Sequence, residues 1–391
     1  MSDQRMSLKE MDQTYVAHTY NRFPVDIARG EGSVVFDEAG RRYIDMGSGI
    51  AVTSFGVADP IWREAIIRQA GQVQHMSNLY YTRPCAELAR MLCQRTGMKK
   101  VFFSNSGAEA NECAIKAARK YQAERKGPDC HVIVTLKNSF HGRTLTTLAA
   151  TGQDHYHELY QPLTPGFMSC APEEIPDLPH PERIAGVLIE CIQGEGGVVQ
   201  IAPEALQRIA AFTKEHDILL MVDEVQTGNG RTGKLYSYMH FGLEPDIVST
   251  AKGLAGGLPL GATLLGEKVQ EVFSYGDHGS TFGGNPMACA GALSILGRVD
   301  ETLLAEVREK GDWLRTYFQA LPGIRSVSGM GLMIGIRTEK PAGEIVRLAM
   351  DRGVLCLTAK DRVRLLPALN ISWDLLREAA EILRECIRGE S

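Results

Sequence analysis

Glu244-Pro-Asp-Ile-Val-Ser-Thr-Ala-Lys-Gly-Leu-Ala-Gly-Gly257 is the stretch whose reading decides the fold. An apolar run ends, Lys252 follows, and the next five positions are nearly all small. A lysine held at a strand end beside glycines can condense with an aldehyde cofactor, because its amine is positioned while a flat ring has room to swing. A lone lysine is ordinarily a solvated surface charge. The preceding apolar run changes that balance: Ile218-Leu-Leu-Met-Val-Asp-Glu-Val-Gln226 also ends on a polar group, Asp223. The 29 residues between Asp223 and Lys252 match one strand-helix-strand unit, so two neighbouring parallel strands offer a carboxylate and an amine at one sheet edge.

Working outward, short apolar runs alternate with helical stretches from residue 100 onward. Strands are expected near 101–104, 131–136, 185–192, 218–223, 246–250 and 261–266, with helices at 107–125, 142–151 and 203–216. Continuous β-branched runs between helices argue for a parallel sheet covered on both faces. The flanks differ. Residues 33–45 read as a hairpin turning at 37–40. Helices at 300–320 and 343–352 alternate with strands around 324–337 and 363–366, which suggests a small α+β lobe made from both chain ends. The expected division is 1–58 and 293–391 for that lobe and 59–292 for the large domain.

Composition excludes several classes. A net charge of −5 lacks the basic excess of a nucleic-acid binder. No apolar run approaches the roughly 20 residues that span a bilayer. Residues 1–10 carry both charge signs and no apolar signal core, so the expected location is cytoplasmic. The nine cysteines include no Cys-x-x-Cys, and those inside apolar runs read as small core residues. His155 and His157 alternate as if on one strand face, but no third ligand is near and no metal site is expected.

Val101-Phe-Phe-Ser-Asn-Ser-Gly-Ala-Glu-Ala-Asn111 passes from strand to helix. Ser106 and Glu109 fit a capping box, while the amides of Ser106, Gly107 and Ala108 suit a phosphate. The two readings can coexist. Neither a P-loop nor a Gly-x-Gly-x-x-Gly fingerprint is present. Phosphate cradle, acid and lysine together describe pyridoxal 5′-phosphate chemistry. Asp223 would keep the ring nitrogen protonated, Val225 would pack on one ring face, and Gln226 would reach the ring hydroxyl.

The chain resembles the class III, fold type I aminotransferases, and within them the branch acting on acetylated ornithine. The resemblance runs through Phe102-Phe-Ser-Asn-Ser-Gly-Ala-Glu-Ala-Asn-Glu112, Ser139-Phe-His-Gly-Arg-Thr144, Gln193-Gly-Glu-Gly-Gly197, Asp223-Glu-Val-Gln-Thr-Gly228, Gly279-Ser-Thr-Phe-Gly-Gly-Asn-Pro286 and Arg364-Leu-Leu-Pro-Ala-Leu-Asn370. It implies a large domain with a mostly parallel seven-stranded sheet between helices, and transfer of the δ-amino group of N2-acetyl-L-ornithine to 2-oxoglutarate. Phe140 would stack opposite Val225, and Arg143 would take the substrate α-carboxylate. Ser280 and Thr281 would reach the site from a second subunit of a homodimer. Glu195 would cover Arg364 for one substrate and release it for the other. The same motifs leave open succinyl-ornithine, N-succinyl-diaminopimelate, ornithine or 4-aminobutyrate as the amine, an aminomutase or racemase, and a catalytically silent scaffold.

Three departures from the family pattern stand out. Gly56-Val-Ala-Asp-Pro60 replaces a Gly-His-x-His-Pro run and is expected to alter packing only. Asn229 stands where an aliphatic residue is usual. Gly49 stands where ornithine-type enzymes place a tyrosine, which would leave room for an acyl group.

Overall fold

The computed structural model describes residues 6–389. Residues 1–5, part of the segment read for a signal core, lie outside that range, as do the last two residues of the C-terminal segment. A seven-stranded sheet forms the centre. Its strands run, edge to edge, Lys100–Ser104, Gly261–Leu265, Ile247–Thr250, Leu219–Asp223, Ile184–Ile189, Val132–Leu136 and Phe167–Cys170. Gly261–Leu265 is antiparallel to both neighbours, and the remaining pairs are parallel. Every residue of Ile184–Ile189, Leu219–Asp223 and Ile247–Thr250 is buried, as expected for strands covered on both faces.

The helices follow from their caps. Gly107–Lys126 starts at Ser106, whose hydroxyl accepts the Glu109 N–H. Glu109 reaches back to the N–H of Asn105 rather than to that of Ser106, so the box is shifted by one residue. Pro203–Glu215 and Glu301–Gln319 lie close to their expected bounds. The helix expected at 142–151 shortens to Leu145–Ala150, because Thr144 and Thr147 cap it late. His155 lies in the 3-10 turn Asp154–Tyr156, followed directly by His157, so the two do not share a strand face.

The lobe from both chain ends is one fabric. The hairpin strands Val34–Asp37 and Arg42–Asp45 pair with each other, and Arg42–Asp45 pairs in parallel with Val354–Leu355 from the far end of the chain. A second four-stranded sheet joins Ile324–Met330, Met333–Thr338, Arg362–Leu365 and Leu357–Ala359. Buried Arg231 ties the segment after Leu219–Asp223 to the C-terminal part of the chain, donating to the carbonyls of Leu332 and Pro367. No helix among the described residues is long and apolar enough to cross a membrane.

Candidate active site

A cavity of about 420 Å³ opens where the strand ends meet the small lobe. Ser106, Gly107, Ala108, Phe140, Arg143, Glu195, Asp223, Val225, Gln226 and Lys252 all line it. These are the positions expected from sequence, apart from Arg364, Ser280 and Thr281.

Asp223 closes its strand, is 3% exposed, and is held by three donors. Oδ1 accepts the Val225 N–H at 2.9 Å; Oδ2 accepts from Asn111 Nδ2 at 2.8 Å and contacts His141 Nδ1 at 2.8 Å. Asn111 is itself oriented by Ser249 on the neighbouring strand. Sequence reasoning missed Asn111 and His141 as site residues, although a signal existed for the first. An amide among Ala110, Cys113, Ala114 and Ile115 on a buried helix face needs buried partners.

Lys252 follows its strand with φ +44, a left-handed conformation uncommon for a side chain of its size. The turn aims the amine into the cavity instead of continuing the strand. Burial pushes its pKa below the ordinary lysine range. Glu195, Asp223 and Glu190 oppose that shift, and Arg364 adds to it. A larger share of neutral amine at neutral pH follows, which a proton-shuttling base needs.

The helix start at Ser106 presents first-turn N–H groups that have no intrahelical acceptor. A Cβ added to Gly107 would fall 2.6 Å from Val225 Cγ1, so only glycine lets cradle and ring-face wall meet. Phosphate donors, a buried acid and an aimed lysine therefore share one hollow whose floor tolerates no extra carbon. These residues fit pyridoxal 5′-phosphate.

Arg364 lies deeper, 3% exposed, on Arg362–Leu365. Its Nη1 donates to Glu195 Oε1 at 2.6 Å and to Gln226 Oε1 at 3.2 Å, while Gln226 Nε2 donates to the same Glu195 oxygen at 3.1 Å. Gln226 therefore belongs to the latch as well as to the cavity wall, a link the sequence reading lacks. Burial raises the Glu195 carboxyl pKa, but the charge and hydrogen bond of Arg364 outweigh it, and the net shift is downward. Arg143 is exposed and lies 5.2 Å from the Tyr156 ring centroid and 5.9 Å from that of Phe140, with no carboxylate latch of that kind among the described residues.

Ser280 and Thr281 line a separate hollow with His75, Asn78 and Phe102. Ser280 Oγ accepts from Asn105 Nδ2 at 3.2 Å, and Asn105 lines the main cavity, so the loop touches the site only from outside. Gly49 likewise faces another space. It lines a cavity of about 280 Å³ with Phe23, Ile50 and Leu357, while Val52 borders the site itself. Asn229 takes φ +58 and donates to Thr250 and Ala251, a left-handed turn that asparagine tolerates.

The lysine, the acid and the phosphate cradle on one sheet edge define a pyridoxal-phosphate-dependent transaminase. The chain belongs to the family described as Aminotransferase class-III, whose model matches residues 15–387. It is 46% identical over 385 residues to the acetylornithine aminotransferase of Haemophilus ducreyi, covering 97% of this chain and 98% of that protein. It is 42% identical to the acetylornithine aminotransferase of Caldanaerobacter subterraneus, over 96% of this chain and 98% of that one. Among solved structures, the ornithine aminotransferase from Toxoplasma gondii superposes with a TM-score of 0.93 at 30% identity, covering 98% of this chain and 96% of that one. The N-acetylornithine aminotransferase from Stenotrophomonas maltophilia superposes at 0.84 and 34% identity, covering 98% and 99%.

Proposed function

We propose that this transaminase moves the δ-amino group of N2-acetyl-L-ornithine to 2-oxoglutarate, giving N-acetyl-L-glutamate 5-semialdehyde and L-glutamate, as a step of arginine biosynthesis. The observation that carries this is the contrast between an open guanidinium in the cavity, Arg143, and a latched one behind its wall, Arg364, held by the cavity-lining Glu195 and Gln226. The named activity of the relatives described above supports the choice of amine.

Ser106, Gly107 and Ala108 would hold the cofactor phosphate, Phe140 and Val225 its two faces, Asp223 its ring nitrogen and Gln226 its ring hydroxyl, with Lys252 as the point of attachment. When bound, the cofactor supplies an electron sink and carries the amino group between the two substrates. Arg143 binds the α-carboxylate of the acylated amine bidentately, which places the distal amine toward Lys252. Lys252, its pKa depressed by burial, takes and returns the proton at the substrate carbon. Glu195 covers Arg364 while the acylated amine is bound; its release exposes Arg364 to the second carboxylate of glutamate or 2-oxoglutarate.

Ser280 and Thr281 act in the neighbouring copy's site, which makes the functional unit a homodimer. Supporting this, Leu79 and Thr281 are exposed where they line the hollow that carries the loop, and Phe282, next to Thr281, is exposed as well. A cytoplasmic setting belongs to the same reading, supported by nine free cysteines, seven of them buried.

The test is a visible-absorption titration of the cofactor-loaded protein with separate amines. Glutamate and acetylornithine should each bleach the cofactor band, with ornithine, succinyl-ornithine and 4-aminobutyrate acting weakly. Bleaching by glutamate but not by acetylornithine would discard the substrate and keep the transaminase. For the dimer, mixing subunits carrying Lys252→Ala with subunits carrying Thr281→Ala should restore activity that neither has alone. No recovery would remove the composite site.

A further inference from the structure

Glu190 has no role in the scheme above, yet it lines the same cavity at 5% exposure, one residue beyond the strand Ile184–Ile189. Both of its oxygens are committed. Oε2 accepts the N–H of Phe140 at 2.9 Å, and Oε1 accepts the N–H of Gly194 at 3.2 Å. The first amide begins the stretch that carries Phe140, His141 and Arg143. The second immediately precedes Glu195, and Gly194 sits so tightly on Gln226 that a Cβ there would fall 2.4 Å from its Oε1. One buried carboxylate therefore pins two loops through their backbone amides, beside a second link in which Gln193 Nε2 donates to the Lys137 carbonyl at 2.8 Å.

We propose that Glu190 is a positioning residue for transamination: its carboxylate ties the loop bearing Phe140 and Arg143 to the loop bearing Glu195, so that the ring-facing aromatic and the cover of Arg364 are set together. This rests on the reading of Glu195 as a releasable cover. A glutamate used only to fill space would be a costly choice, because burying its charge beside Asp223 is unfavourable unless both oxygens are satisfied.

The charge is also titratable in the working range. Burial pushes the Glu190 carboxyl up to about 7, opposed by His141 from the loop and reinforced by Asp223 from the adjacent strand end. Lys252 senses the same charge. Protonation converts one acceptor oxygen into a donor, and one of the two amides loses its partner. Both loops then loosen as pH falls through about 7.

The experiment measures single-turnover bleaching of cofactor-loaded protein by acetylornithine and, separately, by glutamate across pH, for wild type and Glu190→Gln. The glutamine cannot accept at both positions. It should slow both half-reactions by between about 10- and 100-fold, the scale of a small misplacement of reacting groups. It should also abolish the wild-type inflection near neutral pH, while the cofactor still binds, since the helix start at Ser106 is untouched. Wild-type rates, or an inflection that survives in Glu190→Gln, would overturn the proposal. If that variant does not fold, Glu190→Asp keeps the charge but cannot span both amides, and it should still slow both half-reactions; wild-type rates in it would overturn the proposal equally. Failure of the cover reading shows separately, as equal effects of Glu195→Ala on the two half-reactions, and leaves the Glu190 measurement standing.

Discussion

Asp223 and Glu195 are carboxylates lining one cavity, and their surroundings differ in kind. Asp223 terminates a fully buried strand and is fixed by a backbone amide, Asn111 and His141. Glu195 rides a loop between two short strands, keeps 26% side-chain exposure, and hydrogen-bonds to two side chains among the described residues, Arg364 and Gln226. A group that stabilises one charge throughout a cycle gains from rigid donors on several elements. One that must let go gains from few contacts, exposure, and a partner that another carboxylate can take over. On the proposed reading, the side that carries Asp223 is therefore built to stay, and the side that carries Glu195 to exchange.

Removing members of the fixed side should hurt most. Lys252→Ala should lower turnover on the order of 10⁴-fold, the upper range for loss of a general base, and remove the visible band of the attached cofactor. Retained band and turnover would dissolve the comparison at its root. Asp223→Asn leaves shape but not charge, and should cost roughly 10³-fold in both half-reactions alike. An effect confined to one amine would place Asp223 on the exchanging side instead.

Effects on the exchanging side should be smaller and selective. Arg143→Ala should raise KM for acetylornithine roughly 100-fold, the loss of about 3 kcal/mol of charge-assisted hydrogen bonding. An unchanged KM would sink its carboxylate role. Glu195→Ala should shift the preference toward glutamate by about tenfold, a coupling of about 1.4 kcal/mol, because Arg364 is then permanently open. The pH behaviour sharpens this. The carboxyl pKa of Glu195 is depressed in the folded protein, so its contribution is present above the unfolded carboxylate value and is lost only as pH falls through the lower folded one. The preference ratio should therefore be flat across neutral pH. A ratio that inverts near pH 7 would show that Glu190 acts on the cover of Arg364 more than on the loop bearing Arg143, instead of on both alike.

The same contrast describes what was legible in the sequence. Asp223, Lys252 and the Ser106 helix start are each set by the few residues around them: a strand that ends, a turn, a cap. The meeting of Asp223 and Lys252 then follows from the parallel order of their neighbouring strands, while Ser106 reaches them across the antiparallel strand Gly261–Leu265. The contacts of Asn111 with Asp223, and of Glu190 with Phe140, join residues 112 and 50 apart, and no local pattern fixes which loop descends on which strand end. Helix Pro286–Leu296 escapes for another reason: its residues are apolar or small all round, so no polar face marks its period. Gly49 shows the limit of reading size from sequence. Residues 48–51 all take positive φ, and that left-handed turn carries Gly49 away from the cavity and brings Val52 to its wall.

Asp59 extends the comparison away from the chemistry and gives the smallest expected effect. The run Gly56-Val-Ala-Asp-Pro60 departs from the family pattern, and the structure supplies the packing that such a change requires. Asp59 caps helix Pro60–Ala70 by accepting the Trp62 N–H at 2.9 Å. It also takes Arg298 through both carboxylate oxygens, at 3.0 and 2.6 Å, and the guanidinium lies 3.9 Å from the Phe55 ring centroid. The side chain thus ties the start of Pro60–Ala70 to the segment leaving Pro286–Leu296. None of its partners lines the cavity. Asp59→Ala should cost about 1–2 kcal/mol, a lost cap together with a partly buried pair, read as a lower thermal midpoint. Half-reaction rates and amine preference should remain at wild-type values. A changed preference would show that the domain junction strains the substrate side, and the boundary between the fixed and exchanging halves would then have to be drawn further from the cavity.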